Sequence, residues 1–199
     1  DELAARIGAW IAIGEHEQGW VNGLQDELLT PEAAAARFRA HGAPAERATA
    51  FAGVEDYRFT RDHVQPEHLL RDGDLLPVEG ERLRVLWTPG HSPGHVCVYD
   101  EARELLFSGD HVLPGITPHI ALNPFGSDDP LGQYLDSLDK LLPYEHAEVL
   151  PAHEYRFDGL RARVDELKAG IAERLQEVAV AVAAAPEATA WEVALQLTW

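Results

Sequence analysis

The stretch Trp87–Val96, with the sequence WTPGHSPGHV, decides the fold of this chain. Apolar segments at 83–87 and 96–99 lead into and out of it, so it lies between two predicted strands. Its prolines restrict φ and its glycines permit positive φ, which predicts a tight, rigid loop. Such a loop can hold an imidazole in a fixed direction toward a metal ion. The alternative is a hairpin turn with incidental histidines, and the loop taken alone gives the two interpretations similar weight.

Two further apolar segments end in polar residues. The segment LLFSGD ends in Asp110, and AEVLPAH ends in His153. In layered α/β folds, functional groups converge where strands end at one edge of a sheet, so we expect His91, Asp110 and His153 to lie close together. Two imidazoles and a carboxylate suit zinc or another borderline first-row metal ion.

Three motifs carry a family resemblance: TPGHSPGH at 88–95, SGDH at 108–111 and LPAH at 150–153. In order and spacing they resemble the later motifs of the metallo-β-lactamase-fold hydrolases, nearest to the glyoxalase II-like and LACTB2-like branches. The resemblance implies an α/β fold, the αββα sandwich of the metallo-β-lactamase type. This chain would hold the C-terminal part of that sandwich, together with a helical insertion and a helical C-terminal appendage.

The resemblance also implies roles for individual residues. His91 would bind the first metal ion, Asp110 would bridge two ions, and His153 would bind the second, with His91 and Asp110 forming the catalytic centre. His95 would support the loop without being a ligand. The implied cofactor is one or two zinc ions, with iron or manganese as alternatives. His111 and His119 flank a proline-rich loop and are candidate substrate contacts; the alternative is that they are ordinary core or surface histidines.

One family motif is absent. His-x-His-x-Asp-His supplies most ligands in the family and should lie upstream, but no two of the ten histidines here are separated by a single residue. We therefore expect the sequence to be a fragment that lacks the N-terminal half, the alternative being a degenerate homologue. Three ligands divided between two metal positions complete neither, so we expect the fragment itself to be inactive.

The remaining chain suggests its organisation. A partial metallo-β-lactamase-like domain is predicted at 1–158, with a helical insertion at about 18–70, and a helical region at 159–199. Thr30, Asp129 and Thr189 are predicted helix N-caps, the first two each followed by proline. The segment 15–17, which follows a short predicted strand, either lines a cleft or is a solvated loop.

Composition limits the function classes. Lys and Arg number 16 and Asp and Glu number 34, a net charge of −18 that argues against a nucleic-acid surface, although it also serves general solubility. The chain has no run of eighteen apolar residues, which argues against a membrane span. Its one cysteine, Cys97, excludes an internal disulfide and fits a reducing cytoplasm.

The function predicted from these features is a metal-dependent hydrolase that uses a metal-activated hydroxide on a small thioester or ester. One alternative is an endoribonuclease or phosphodiesterase of the LACTB2-like kind, which the helical C-terminus supports and the charge opposes. Another is a catalytically silent binding module in this truncated form. The expected partner is a small-molecule substrate, and the sequence leaves a homo-oligomer open.

Overall fold

The structure of the protein, a computed structural model, describes residues 6–21, 30–52, 66–122 and 126–197. The chain forms two compact units: Asp1–Asn22 with Val64–Lys168, and Gly23–His63 with Ala169–Trp199. The insertion therefore groups with the end of the chain, whereas the sequence-based division separated the chain at 158. One continuous helix, Leu160–Ala184, belongs to both units, so no linker marks a boundary near that point.

The first unit holds two sheets. The smaller sheet pairs β1 with β2 in parallel, and the larger one has the strand order β3-β4-β5-β6. The six strands are β1 Ala12–Gly14, β2 His68–Leu70, β3 Leu83–Trp87, β4 Val96–Asp100, β5 Leu105–Gly109 and β6 Glu148–Pro151. Strand β2 lies at the end of the predicted helical insertion, which is therefore not helical throughout. Two sheets with helices confirm the predicted α/β class.

Strand direction in the larger sheet follows from the connections. Strands β3, β4 and β5 are joined by short turns and pair antiparallel, whereas β5 and β6 pair parallel. A parallel pair needs a crossover, and a helix supplies one here. The described helices are α1 Gln18–Val21, α2 Pro31–Ala40, α3 Ala45–Ala52, α4 Pro130–Leu141, α5 Leu160–Ala184 and α6 Ala190–Ala194. Among the described residues, no helix combines the length and apolarity needed to cross a bilayer.

The helix caps predicted from sequence are present. Thr30 accepts a hydrogen bond from the amide of Ala33 at 3.1 Å, and Asp129 accepts one from the amide of Gly132 at 2.8 Å. Thr189 forms a capping box with Glu192. Each cap satisfies backbone donors that the first helical turn leaves without partners, which fixes where the helix begins.

One face of the larger sheet is the core of the first unit. The paired residues Leu86 and Cys97 lie on it, as do Leu106 and Val149, and all four are at most 4% exposed. The other large buried side chains of this unit come mainly from α4 and α5: Tyr134, Leu138, Leu141, Leu160 and Val164. The core therefore lies between this sheet face and the two helices.

The opposite face of the sheet is also apolar but is not fully covered. The pairing register places Val98, Phe107 and Leu150 side by side on it. Val98 and Leu150 are half-buried, and Phe107 is 41% exposed. The edges are better protected, because segment 73–76 pairs with β3 and Phe157 pairs with Val149 of β6.

We expect the polypeptide 1–199 to self-associate through this face, because removing apolar area from water favours association. Sedimentation velocity over a concentration series measures the association, and Phe107→Lys should shift it toward monomer. Leu195→Lys is the control, since Leu195 is 69% exposed in the second unit. A monomeric wild-type polypeptide that unfolds cooperatively contradicts this prediction.

Candidate metal centre

Three strands of the larger sheet point their C-terminal ends in the same direction. Two antiparallel steps give β3 the direction of β5, and β6 is parallel to β5. His91 follows β3, Asp110 follows β5 and His153 follows β6. The topology therefore brings all three residues to one edge of the sheet, where functional groups collect in such folds.

The carboxylate of Asp110 lies between two imidazoles. Its Oδ1 is 3.1 Å from Nε2 of His153, and its Oδ2 is 3.7 Å from Nε2 of His91. The His91 and Asp110 side chains are 31% and 33% exposed and that of His153 is 65% exposed, so the group is open to solvent. One carboxylate thus presents a different oxygen to each imidazole, as a bridging ligand would.

The hydrogen bonds of His91 fix its tautomer. Its Nδ1 is 2.8 Å from the backbone oxygen of His119, which can only accept, so Nδ1 carries the proton. In the neutral ring the lone pair of Nε2 then faces the carboxylate, and two acceptors face one another unless a cation lies between them. Ligands of a tetrahedral ion at about 2.1 Å are roughly 3.4 Å apart, so the observed separations fit a shared metal ion.

The donor set is nevertheless incomplete. Among the described residues, no group of three or more His, Cys, Asp or Glu side chains is arranged to hold one metal ion. Each of the two positions beside Asp110 has one imidazole and one carboxylate oxygen, whereas zinc normally takes about four ligands. The geometry fits part of a two-ion centre, and the ligand roles of His91, Asp110 and His153 stay predictions.

The half-buried imidazole of His95 supports the backbone of Asp110. The Asp110 amide donates to Nε2 of His95 at 3.2 Å, so Nδ1 carries the proton and lies 2.9 Å from Oγ1 of Thr88. Burial, and then the nearby His91, lower the pKa of His95 to about 4, which keeps this ring neutral near pH 7. A Cβ on Gly109 would lie 2.6 Å from the same ring nitrogen. His95 is therefore placed to support the backbone of Asp110.

The loop that carries His91 has a second anchor, which sequence analysis missed. The carboxylate of Glu17 accepts hydrogen bonds from the hydroxyl of Ser92 and from the amide of Gly94, the latter at 3.0 Å. Backbones approach closely here, since a Cβ on Gly14 would lie 1.9 Å from the oxygen of Gly94. Segment 15–17 is thus part of the support for the site. No local signal marks it, because Glu17 lies far from the loop in sequence.

The two candidate substrate contacts differ in position. The His111 side chain has no exposed surface, and its ring stacks on His95 and packs edge-on against Tyr134. His111 is therefore a core histidine, the alternative interpretation of its position, since a buried ring cannot reach a substrate in this conformation. His119 is exposed, and a substrate contact by its side chain stays a prediction.

Replacing His111 by phenylalanine should stabilise the fold. Neither ring nitrogen makes a well-formed hydrogen bond with the described residues, although the backbone of Ser137 lies close enough to act on the ring, and a buried unsatisfied polar group costs about 1–3 kcal/mol. His111→Phe keeps the aromatic contacts and removes both nitrogens, so we expect the free energy of unfolding, measured in urea at neutral pH, to rise by about 1–3 kcal/mol. The control is His146→Phe, the same substitution at an exposed histidine whose Nε2 is hydrogen-bonded to Tyr99. A less stable His111→Phe protein would contradict this prediction.

Comparisons with known proteins agree with this fold. The family model for the metallo-beta-lactamase superfamily matches residues 18–153. A metallo-beta-lactamase family protein from Thermus thermophilus is 31% identical, with a TM-score of 0.72 over 96% of this chain and 61% of that one. This similarity confirms the predicted metallo-β-lactamase type of fold.

Two curated relatives carry thioesterase names. The human acyl-coenzyme A thioesterase MBLAC2 is 43% identical over 58 residues, which are 29% of this chain and 21% of that protein. The atrochrysone carboxyl ACP thioesterase AgnL7 of Paecilomyces divaricatus is 37% identical over 97 residues, 49% of this chain and 28% of that protein. The chain spans from 21% to 37% of the length of the curated relatives that it matches.

Proposed function

The chain belongs to the metallo-beta-lactamase superfamily, and on that premise we propose that the protein carrying it is a metal-dependent hydrolase of small thioesters or esters. The observation that supports this proposal most directly is the placement of Asp110, whose two carboxylate oxygens face the Nε2 atoms of His91 and His153. A carboxylate shared between two imidazoles at an exposed strand end is suited to hold divalent cations.

The roles of the residues follow from their contacts. His91 would offer its Nε2 lone pair, because its proton is held on Nδ1 by the His119 carbonyl. Asp110 would bridge two positions, and His153 would serve the second. Divalent ions held there would supply Lewis acidity and a bound water of lowered pKa. Zinc suits these ligands, and iron or manganese would accept the same set.

The substrate class rests on the relatives and on charge. Thioesterase names occur among the relatives, at partial coverage. A net charge of −18 repels a polyanionic backbone. The arginines that follow His153 are engaged: Arg156 pairs with Glu148 at 3.2 Å, and Arg163 donates to backbone carbonyls. These features favour a small thioester or ester over RNA.

The buried, free Cys97 supports a cytoplasmic location.

His91→Ala and Asp110→Ala should each abolish hydrolysis in the protein that carries this chain, because the ligands that hold the activated water would be lost. We expect turnover to fall to the uncatalysed rate and metal content to drop, with little change in thermal unfolding, since both side chains are partly exposed. Metal analysis and thioester assays measure the effect. His146→Ala, distant from the site, is the control. Retained metal and wild-type turnover in both variants would end the metal-site hypothesis.

Substrate class separates the proposal from its alternatives. We expect turnover of an acyl-coenzyme A or aryl thioester, and no RNA binding that weakens as salt rises. RNA cleavage that Asp110→Ala removes would instead support the endoribonuclease or phosphodiesterase. Metal binding without hydrolysis of thioester, ester or RNA would support a catalytically silent binding module.

A further inference from the structure

The proline-rich loop 113–119 links the candidate metal centre to α5. We propose that Arg163 is a positioning residue, which fixes this loop so that the His119 carbonyl holds His91 in the tautomer able to bind metal. The inference rests on the proposed function only in taking His91 as a ligand. The hydrogen bonds of Arg163 go to Leu113, Ile116 and Glu166, none of which is a candidate ligand, so its effect on His91 would pass through the loop.

The guanidinium of Arg163 binds the loop at two points. Its Nε donates to the oxygen of Leu113 at 2.7 Å, and its Nη2 donates to the oxygen of Ile116 at 2.8 Å. The Arg163 side chain is only 10% exposed; its bond to Leu113 is partly buried, whereas its bond to Ile116 lies at the surface. A planar guanidinium presents its donors in a fixed fork, which constrains both carbonyls relative to α5. A single-point donor would fix one carbonyl and leave the other free to rotate.

The third nitrogen of the guanidinium pairs with a carboxylate of the same helix. Nη1 of Arg163 is 2.6 Å from Oε2 of Glu166 on the same helix, but the Glu166 side chain is 70% exposed. An exposed ion pair of this kind stabilises little by itself. The two bonds to backbone carbonyls are therefore the ones through which Arg163 acts on the loop.

A carboxylate holds the same loop from the other side. The amide of Gly115 donates to Oε2 of Glu154 at 2.8 Å. Glu154 has a φ of +70°, a backbone conformation that residues other than glycine rarely adopt. Such a conformation persists where the surrounding structure imposes it. Glu154 also follows His153 directly, so this bond ties the loop after β6 to the loop after β5. The segment 113–116 is thus bound on two sides within four residues.

The end of this fixed segment reaches the ligand. His119 lies three residues beyond Ile116, and its oxygen is 2.8 Å from Nδ1 of His91. The acceptor that a ring nitrogen finds decides which nitrogen keeps the proton. If the carbonyl moved away, water would replace it and the proton could occupy Nε2 instead. A protonated Nε2 has no lone pair for a metal ion, so loosening the loop would reduce the fraction of His91 that is ready to bind.

A matched pair of variants isolates this effect. Arg163→Gln removes the two-point fork, and Arg161→Gln is the control from the same helix. Arg161 is 53% exposed and pairs with Glu145, not with the loop. In the metal-free form of the protein that carries this chain, labelled with ¹⁵N-histidine, long-range ¹H–¹⁵N spectra distinguish a proton on Nδ1 from one on Nε2. Competition with a chromophoric chelator gives the apparent affinity for Zn²⁺.

We expect His91 to carry its proton on Nδ1 in the wild-type and Arg161→Gln proteins, and to populate both neutral tautomers, Nδ1–H and Nε2–H, in Arg163→Gln. Loss of an outer-shell partner weakens metal binding by about 10–100-fold, and Arg163 acts one contact further away, so we expect about tenfold. Amide exchange should accelerate at residues 113–119 in Arg163→Gln alone. A purely structural role would lower thermal stability without moving the His91 tautomer.

Two results would overturn the inference. A folded Arg163→Gln protein with the wild-type His91 tautomer and Zn²⁺ affinity is the first. If that variant fails to fold, Arg163→Lys replaces it, because lysine keeps the charge but not the two-point fork. An Arg163→Lys protein with the wild-type His91 tautomer and wild-type amide exchange at residues 113–119 is the second result. The proposed function fails separately: a tautomer shift in a protein without hydrolase activity supports the inference alone, and metal-dependent turnover with an unmoved tautomer supports the function alone.

Discussion

The hydrogen bond from the Asp110 amide to Nε2 of His95 is the contact on which the candidate centre depends. It requires a neutral imidazole, and the partial burial of His95 lowers its pKa far enough to ensure it. On the other side of the ring, Oγ1 of Thr88 accepts a hydrogen bond from Nδ1 of His95 and lies 3.3 Å from Sγ of Cys97 in the core. The backbone that carries the exposed carboxylate is thereby connected to the sheet.

The other supports act on the loops around this contact. Glu17, which lies just after β1 of the smaller sheet, holds the loop of His91. Ser137 of α4 holds the same loop by donating to the oxygen of Pro89 at 2.9 Å. Arg163 and Glu154 hold the loop that ends at His119. Each support ends on a backbone amide or carbonyl of a loop, so the loops are fixed largely independently of their own side chains.

The sequence predicted the parts of the structure that local signals encode. The strands before His91 and Asp110, the caps at Thr30, Asp129 and Thr189, and the α/β class all follow from patterns within a few residues. The meeting of His91, Asp110 and His153 followed from a rule about strand ends. Glu17, Glu154 and Arg163 could not be found in this way, because their partners lie 39 to 77 residues away and depend on tertiary packing.

His111 shows the same limit from the opposite direction. Its place directly after Asp110 suggested a substrate contact, but the backbone turns at that point and sends the ring inward between His95 and Tyr134. Gly109, with a φ of +53°, precedes this turn, and the Ser108 oxygen accepts from the His111 amide at 3.0 Å. Adjacent residues on opposite sides of a turn can thus have opposite burial, which the sequence pattern alone does not resolve.

The two positions beside Asp110 are not equally organised. His91 is restrained at Nδ1 by the His119 carbonyl, and its loop is anchored at Glu17. The His153 side chain is 65% exposed, and its Nε2 lies 3.1 Å from Oδ1 of Asp110. Ordering a mobile side chain on binding costs conformational entropy, which a restrained one has already lost in the folded protein. A cation shared by His91 and Asp110 therefore meets the better prepared position, and one shared by His153 and Asp110 must order its imidazole as it binds.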